Sequence, residues 1–176
     1  LVERLFDADR GVFHRRLAVE PSGELTPDST IDSSVLHTVL LGAIDPLSEQ
    51  AQATIRTVRE RLWVRTEIGG LARYDGDYYF RVLNDQPGNP WIICTLWLAQ
   101  ALCLAARRTE DLEEPLRLLR WTINRSQPTG ILPEQVHPVT GEPLSVSPLT
   151  WSHAEAVATV FAYARKLREL ARPGLP

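Results

Sequence analysis

The sequence has 176 residues, 44% of them apolar and 23% charged, which is the composition of one globular domain with a sizeable core. Nineteen basic side chains against 22 acidic ones give a net charge of -3, which argues against a nucleic-acid or membrane-surface protein that works through a basic patch. No apolar run is long and charge-free enough to span a bilayer.

The N-terminus, Leu1-Val2-Glu3-Arg4, has neither the apolar core nor the cleavage site of a signal peptide, and there is no methionine at all. The expectation is therefore a chain that is processed or cut from something longer. Residues 1–6 read as the last turn of a helix, and residues 7–28, with Gly11, Pro21, Gly23 and Pro27, read as irregular. Ile31, Val35 and Val39 recur every four residues, with Leu36 and Leu40 beside them, and predict a helix over 30–42 that Asp45-Pro46 ends. A second helix starts near Ser48. Its stripe is Ala51, Ile55, Val58 and Leu62, and Arg56, Arg59 and Glu60 form its wet side.

A long Gly-rich, aromatic loop follows over 67–90, and long ordered loops in compact domains are often functional. Residues 90–106 are apolar except for Thr95 and Gln100, so this helix is buried on all sides, with Pro90 suited to its first position. Cys94 and Cys103 fall nine residues apart on it, about 13.5 Å along the axis and on opposite faces. They cannot pair there and read as small buried hydrophobes. Nothing then demands an oxidising compartment, and the cytoplasm is the default.

Thr109-Glu110-Asp111 caps an amphipathic helix carrying Leu112, Leu116, Leu119 and Ile123. A Pro-rich loop spans 125–150. The last helix starts at Ser152, with Ser152 and Glu155 in a capping box and Val157, Val160, Ala164 and Leu167 as its inner stripe. The chain is thus all-α, with buried and half-exposed helices alternating as in two concentric layers. The long loops gather at one end, where Arg73, Asp77, Tyr78, Tyr79, Trp91, Glu134 and Trp151 line a rim. Aromatic faces can stack on pyranose rings, Arg and Asp can hold hydroxyls, and a carboxylate can act on water or on the glycosidic oxygen. His14, His37, His137 and His153 show no metal-binding spacing, and no phosphate loop is present, so no metal or cofactor is expected.

Three ordered motifs make the reading more specific. The first runs Gly70-Leu71-Ala72-Arg73-Tyr74, Tyr78-Tyr79, and Gly88-Asn89-Pro90-Trp91 onward to Ala99. The second is Gly130-Ile131-Leu132-Pro133-Glu134-Gln135, and the third is Leu149-Thr150-Trp151-Ser152-His153-Ala154-Glu155. Together they resemble glycoside hydrolase family 15, the glucoamylases and their glucodextranase relatives, over about residues 68–170.

The resemblance implies an (α/α)6 barrel of which residues 1–176 form the C-terminal half, with the N-terminal half absent. It implies inverting, exo-acting release of glucose from α-glucans. Glu134 matches the family's general base, and the two carboxyl groups of an inverting pair lie roughly 6.5–9.5 Å apart. The general acid belongs upstream of Leu1, so the isolated piece is expected to be inactive. Arg73 and Asp77 match positions that contact sugar hydroxyls. Trp91, like Tyr79, either faces the sugar or packs at the helix start. Trp151 and His153 support the Glu134 loop. Residues 80–87 form a loop longer than in the shortest family members, which leaves the preferred linkage open. The expected partners are an α-glucan or oligosaccharide, the missing half of the barrel and a second copy of the chain. The competing reading is a non-catalytic carbohydrate-binding or regulatory module on the same scaffold.

Overall fold

The computed structural model describes residues 2–171. In chain order the elements are α1 (Val2–Leu5), β1 (Phe6–Asp7), β2 (Val12–Phe13), β3 (Leu17–Val19), β4 (Leu25–Pro27), α2 (His37–Leu40), α3 (Glu49–Leu62), α4 (Ile92–Ala105), α5 (Glu113–Ile123), β5 (Gln135–Val136), β6 (Pro143–Leu144) and α6 (Thr150–Ala171). The protein is mostly helical. The three strand pairs are small antiparallel ribbons, β1 with β2, β3 with β4 and β5 with β6. Two of these ribbons occupy the stretch expected to be irregular. Their strands are too short to carry a period-2 pattern, and Gly11 and Gly23 turn them at positive φ.

α4 organises the core. Ten of its positions are buried, on every side of the helix. It packs against α5 and α6, and also against α3, α2 and the 3-10 turn Ser33–Leu36. Leu96 and Leu98 are fully buried, each contributing about 1.5–3 kcal/mol relative to exposure. α3 and α5 are amphipathic. Ile55, Val58 and Leu62 of α3 join Leu71, Ile93 and Leu98 in the main cluster, which Leu118 of α5 completes. The Ser48 hydroxyl accepts from Ala51 N at 3.3 Å and fixes the start of α3. Before α5, the Asp111 carboxylate accepts from the Arg107 and Arg108 N–H groups at 2.9 and 3.2 Å.

Three boundaries differ from the expected ones. Residues 31 and 32 are not helical, and Ser33 opens only a 3-10 turn, because 31–33 pair with 73–75. Ser33 N donates to Arg73 O at 2.8 Å, Asp75 N donates to Ile31 O at 2.9 Å, and Asp32 bridges Tyr74. Ile31, Val35, Leu36 and Val39 are nevertheless buried. α4 starts at Ile92 rather than Pro90, because Trp91 is extended and bridges Gln135. α6 starts at Thr150, so Ser152 lies inside the helix and caps nothing. Its hydroxyl donates instead to Pro133 O at 2.7 Å, and Glu155 accepts from Gln100 Nε2 and Trp151 Nε1.

The packed face of α6 also differs from the expected stripe. Ser152 and Thr159 are its buried residues, and Ala156 and Tyr163 pack on the core clusters. Val157, Val160, Leu167 and Phe161 face outward, Phe161 with 67% of its surface open. The inner face thus mixes Ser152 and Thr159 with Ala156, Tyr163 and Leu170, while Val157, Val160 and Phe161 leave an apolar patch outside. Among the described residues no helix is long and apolar enough to cross a membrane.

Candidate functional site

The strand-like segment 70–74 is strapped in place on three sides. Val64 N donates to Gly70 O, Ala72 N to Leu62 O and Trp91 N to Leu71 O, all at 2.8–2.9 Å. The Thr95 hydroxyl links the same segment to α4, accepting from Leu71 N at 2.9 Å and donating to Trp91 O at 2.8 Å. This strapping presents Arg73 beside Trp91.

Arg73 meets Asp77 in a two-pronged pair, Nε to Oδ2 at 3.0 Å and Nη2 to Oδ1 at 2.8 Å. Asp77 is only 1% exposed, and Tyr79 N also donates to its Oδ1 at 3.1 Å. Burial works to lower the Arg73 pKa, but the hydrogen bonds and charge of Asp77 raise it above the ordinary value. The guanidinium also lies 4.5 Å from the Trp91 ring, 4.9 Å from Tyr74 and 5.5 Å from Tyr79. Burial, then the nearby Asp77 charge, pushes the Tyr74 phenol up.

Glu134 joins this group through its backbone. Ile92 N donates to Glu134 O at 3.1 Å, Val136 N donates to Pro90 O at 2.9 Å, and Trp91 bridges Gln135. The half-buried Glu134 carboxylate accepts a short hydrogen bond at Oε2 from the Ser145 hydroxyl. Ser145 reaches it from a left-handed backbone, φ 64°. Glu134 N donates to Val146 O at 2.8 Å, so the 145–146 segment grips both ends of the residue. On either side of Pro133, α6 holds the loop. Ser152 bonds Pro133 O, and His153 Nε2 accepts from Leu132 N at 3.1 Å.

Arg73, Asp77, Tyr79 and Trp91 therefore share one cluster, with Glu134 tied to its edge by main-chain bonds. Tyr78 does not join it. Its side chain is 80% exposed, because the Asp77 carboxylate turns the chain through Tyr79 N and directs Tyr78 outward. Trp151 is half exposed on α6, 5.6 Å from the Trp97 ring, with its Nε1 on Glu155 at 3.1 Å. It does not touch the Glu134 loop through a hydrogen bond; that task falls to its neighbours Ser152 and His153.

Ser145 carries no signal in sequence, and Asn89, although it lies in the first motif, has no role readable from it. Ser145 lies in a Pro-rich stretch with no periodicity. Asn89 is buried and clamps the long loop, with Nδ2 donating to Phe80 O at 2.7 Å and to Gln135 Oε1 at 2.9 Å, and Oδ1 accepting from Val82 N at 3.1 Å. That clamp holds Phe80 at φ 53° with its ring exposed and edge-on to Tyr79 at 4.8 Å. Positive φ at a non-glycine residue costs about 1–3 kcal/mol and concentrates at functional sites. Trp91 Nε1 and Gln135 Nε2 are buried without an acceptor among the described residues, which leaves donors in the lining for a ligand or another part of the protein. No group of three or more His, Cys, Asp or Glu side chains among the described residues is placed to hold a metal.

The profile of the family "Glycosyl hydrolases family 15" matches residues 22–161. An uncharacterized glycosyl hydrolase of Methanocaldococcus jannaschii is 33% identical over 144 residues, covering 76% of this chain and 22% of its own length. The chain belongs to glycosyl hydrolase family 15.

Solved structures agree on the fold. A wild-type glycosidase superposes with a TM-score of 0.68 at 25% identity, covering 97% of this chain and 42% of its own. A bacterial glucoamylase complexed with acarbose gives 0.67 at 21% identity, covering 89% and 25%. The family 15 glucoamylase from Hypocrea jecorina gives 0.68 at 18% identity, covering 94% and 36%. The chain spans less than half the length of each of these relatives.

Proposed function

We propose that this chain supplies the general base and part of the sugar pocket of an inverting, exo-acting glycoside hydrolase that releases glucose from α-glucans. Glu134 takes a proton from the water that attacks the anomeric carbon. Arg73 holds sugar hydroxyls in fixed geometry, because Asp77, matched to a sugar-contacting position but itself buried, orients the guanidinium from behind. Tyr79 offers an aromatic face, while Trp91, expected either to face the sugar or to pack at the helix start, is buried in the core beneath the Arg73 guanidinium and backs the pocket. Ser152 and His153 position the Glu134 loop, and Trp151 stands at its edge.

In this reading residues 1–176 make up the C-terminal half of an (α/α)6 barrel. The other half supplies the general acid and covers the outward apolar face of α6. The single observation that carries the proposal is the Arg73–Asp77–Trp91 cluster, with Glu134 joined to its edge by main-chain bonds and its carboxylate held by Ser145.

The test is reaction of maltooligosaccharides with the chain alone and with the chain joined to a preceding barrel half, following the anomer first released by NMR. Release of β-glucose only by the joined form, cut by about 10²- to 10⁴-fold in Glu134→Gln, is the expected result. Turnover by the chain alone, or full activity of the variant, would overturn it. Binding without turnover by the joined form would favour a carbohydrate-binding module.

A further inference from the structure

Asn89 holds two loops at once. It lies in the turn Gly88-Asn89-Pro90, which is locked on both sides. A Cβ on Gly88 would fall 3.0 Å from the Asp77 Cβ, and Pro90 O accepts from Val136 N at 2.9 Å. The Asn89 side chain is 1% exposed. Part of its amide serves the loop 80–87, with Nδ2 donating to Phe80 O at 2.7 Å and Oδ1 accepting from Val82 N at 3.1 Å. Nδ2 also donates to Gln135 Oε1 at 2.9 Å, 46 residues further along the chain. Among the described residues this is the one side-chain hydrogen bond between 76–89 and 130–146.

The two ends of this clamp are both parts of the candidate site. Phe80 stands at φ 53°, with its ring edge-on to Tyr79 at 4.8 Å, and the Tyr79 ring lies 5.5 Å from the Arg73 guanidinium. A bulky residue at positive φ persists only where its surroundings impose it. Here the bonds at Phe80 O and Val82 N, on either side of Arg81, both end on Asn89. At the other end, Gln135 is fully buried, follows Glu134 directly and bridges Trp91 through its backbone. Its Nε2 has no acceptor among the described residues, so Asn89 is the partner that sets how this buried amide is turned.

A clamp for the loop alone would not need Gln135. Arg81 shows as much. Its guanidinium donates to Leu83 O and Asn84 O at 2.9 Å and also to Gln86 O, closing the loop on itself with no hydrogen bond to 130–146.

We propose that Asn89 is a positioning residue that makes the Tyr79–Phe80 rim and the Glu134 segment one unit. A ligand seated against the rim then meets the Glu134 carboxylate at a fixed distance. The catalytic part of the test rests on the function proposed above, and the exchange part is independent of it.

Amide exchange in the chain itself reads the coupling without substrate. Asn89→Ala should accelerate exchange at Val82 and, across the Gln135 bond, at residues 134–136. The α4 amides should keep their protection and so report a folded variant. Gln135→Met cuts the same bond from the other end and should accelerate Val82, to which residue 135 has no hydrogen bond of its own. Gln135→Met decides the matter if Asn89→Ala loses the α4 protection. Arg81→Ala should accelerate the loop amides only. In the joined enzyme Asn89→Ala should lower kcat by about ten- to hundredfold and raise KM for maltooligosaccharides, whereas Arg81→Ala should raise KM alone. Acceleration confined to 80–83 in Asn89→Ala, or an unchanged Val82 in Gln135→Met, makes Asn89 a loop clamp and overturns the proposal. A kcat loss in Arg81→Ala equal to that in Asn89→Ala overturns it as well. If the joined wild-type enzyme releases no glucose, the proposed function falls, and the exchange pattern alone upholds or overturns the coupling.

Discussion

The Arg73 guanidinium spans Asp77 with bonds of 3.0 and 2.8 Å and at the same time lies 4.5 Å over Trp91. One side chain thus neutralises a buried carboxylate and orders an aromatic face. Its two roles separate under mutation. Arg73→Ala strands Asp77 as an unpaired buried charge and should lower the unfolding free energy by about 3–5 kcal/mol. Asp77→Asn keeps the shape, leaves the positive charge partly in solvent, and should cost less. Urea denaturation of both variants checks the order.

The Ser145 hydroxyl is the one side-chain donor to Glu134 among the described residues, and it is held at φ 64°. Ser145→Ala and Ser145→Gly both remove the donor, but only glycine relieves the backbone. In the joined enzyme both should lose a similar amount of kcat, about two- to tenfold. Only Ser145→Gly should keep or raise the melting temperature. Steady-state rates and thermal melts of the pair provide the comparison.

Ser152 and Pro133 form a buried contact between α6 and the Glu134 loop, 2.7 Å long. Ser152→Ala leaves the Pro133 carbonyl without its donor and should cost about 1–3 kcal/mol. The opening should be local, so amide exchange should accelerate over residues 131–136 before it does so in α4. Uniform acceleration across the chain would contradict that role.

Burial pushes the Cys103 thiol up to about 12 and raises Cys94 as well. Neither forms a thiolate in the native state at neutral pH, and the two sit on one helix without pairing. At pH 8 a disulfide-exchange reagent should label no thiol in the folded chain and two in urea. Rapid labelling of the native chain would indicate an open α4.

The helical scaffold was largely legible because burial writes itself into composition. The apolar run of α4 and the one-sided stripe of α3 each predict their environment, whereas Ile123 of the expected α5 stripe is exposed and Leu118 is buried in its stead, because α5 turns its Pro115–Leu118–Leu119–Thr122 side inward. What escaped were features set by distant partners. Residues 31–33 show helical spacing but pair with 73–75, and Ser152 has the sequence of a cap but bonds Pro133 from within the helix. Arg73, Asp77, Tyr79 and Trp91 could be named from motifs. Tyr78 shares the same motif but turns away, because the choice depends on one backbone bond to Asp77. Ser145 and Asn89 owe their places to loop geometry, which no periodicity encodes.

The outward apolar patch of α6 couples the integrity of this chain to whatever meets Val157, Val160 and Phe161. In solution alone, that flank gains nothing from leaving water, and each Å² later covered adds about 25 cal/mol. Thermal tolerance should then rise with protein concentration, as it does whenever association favours the folded form.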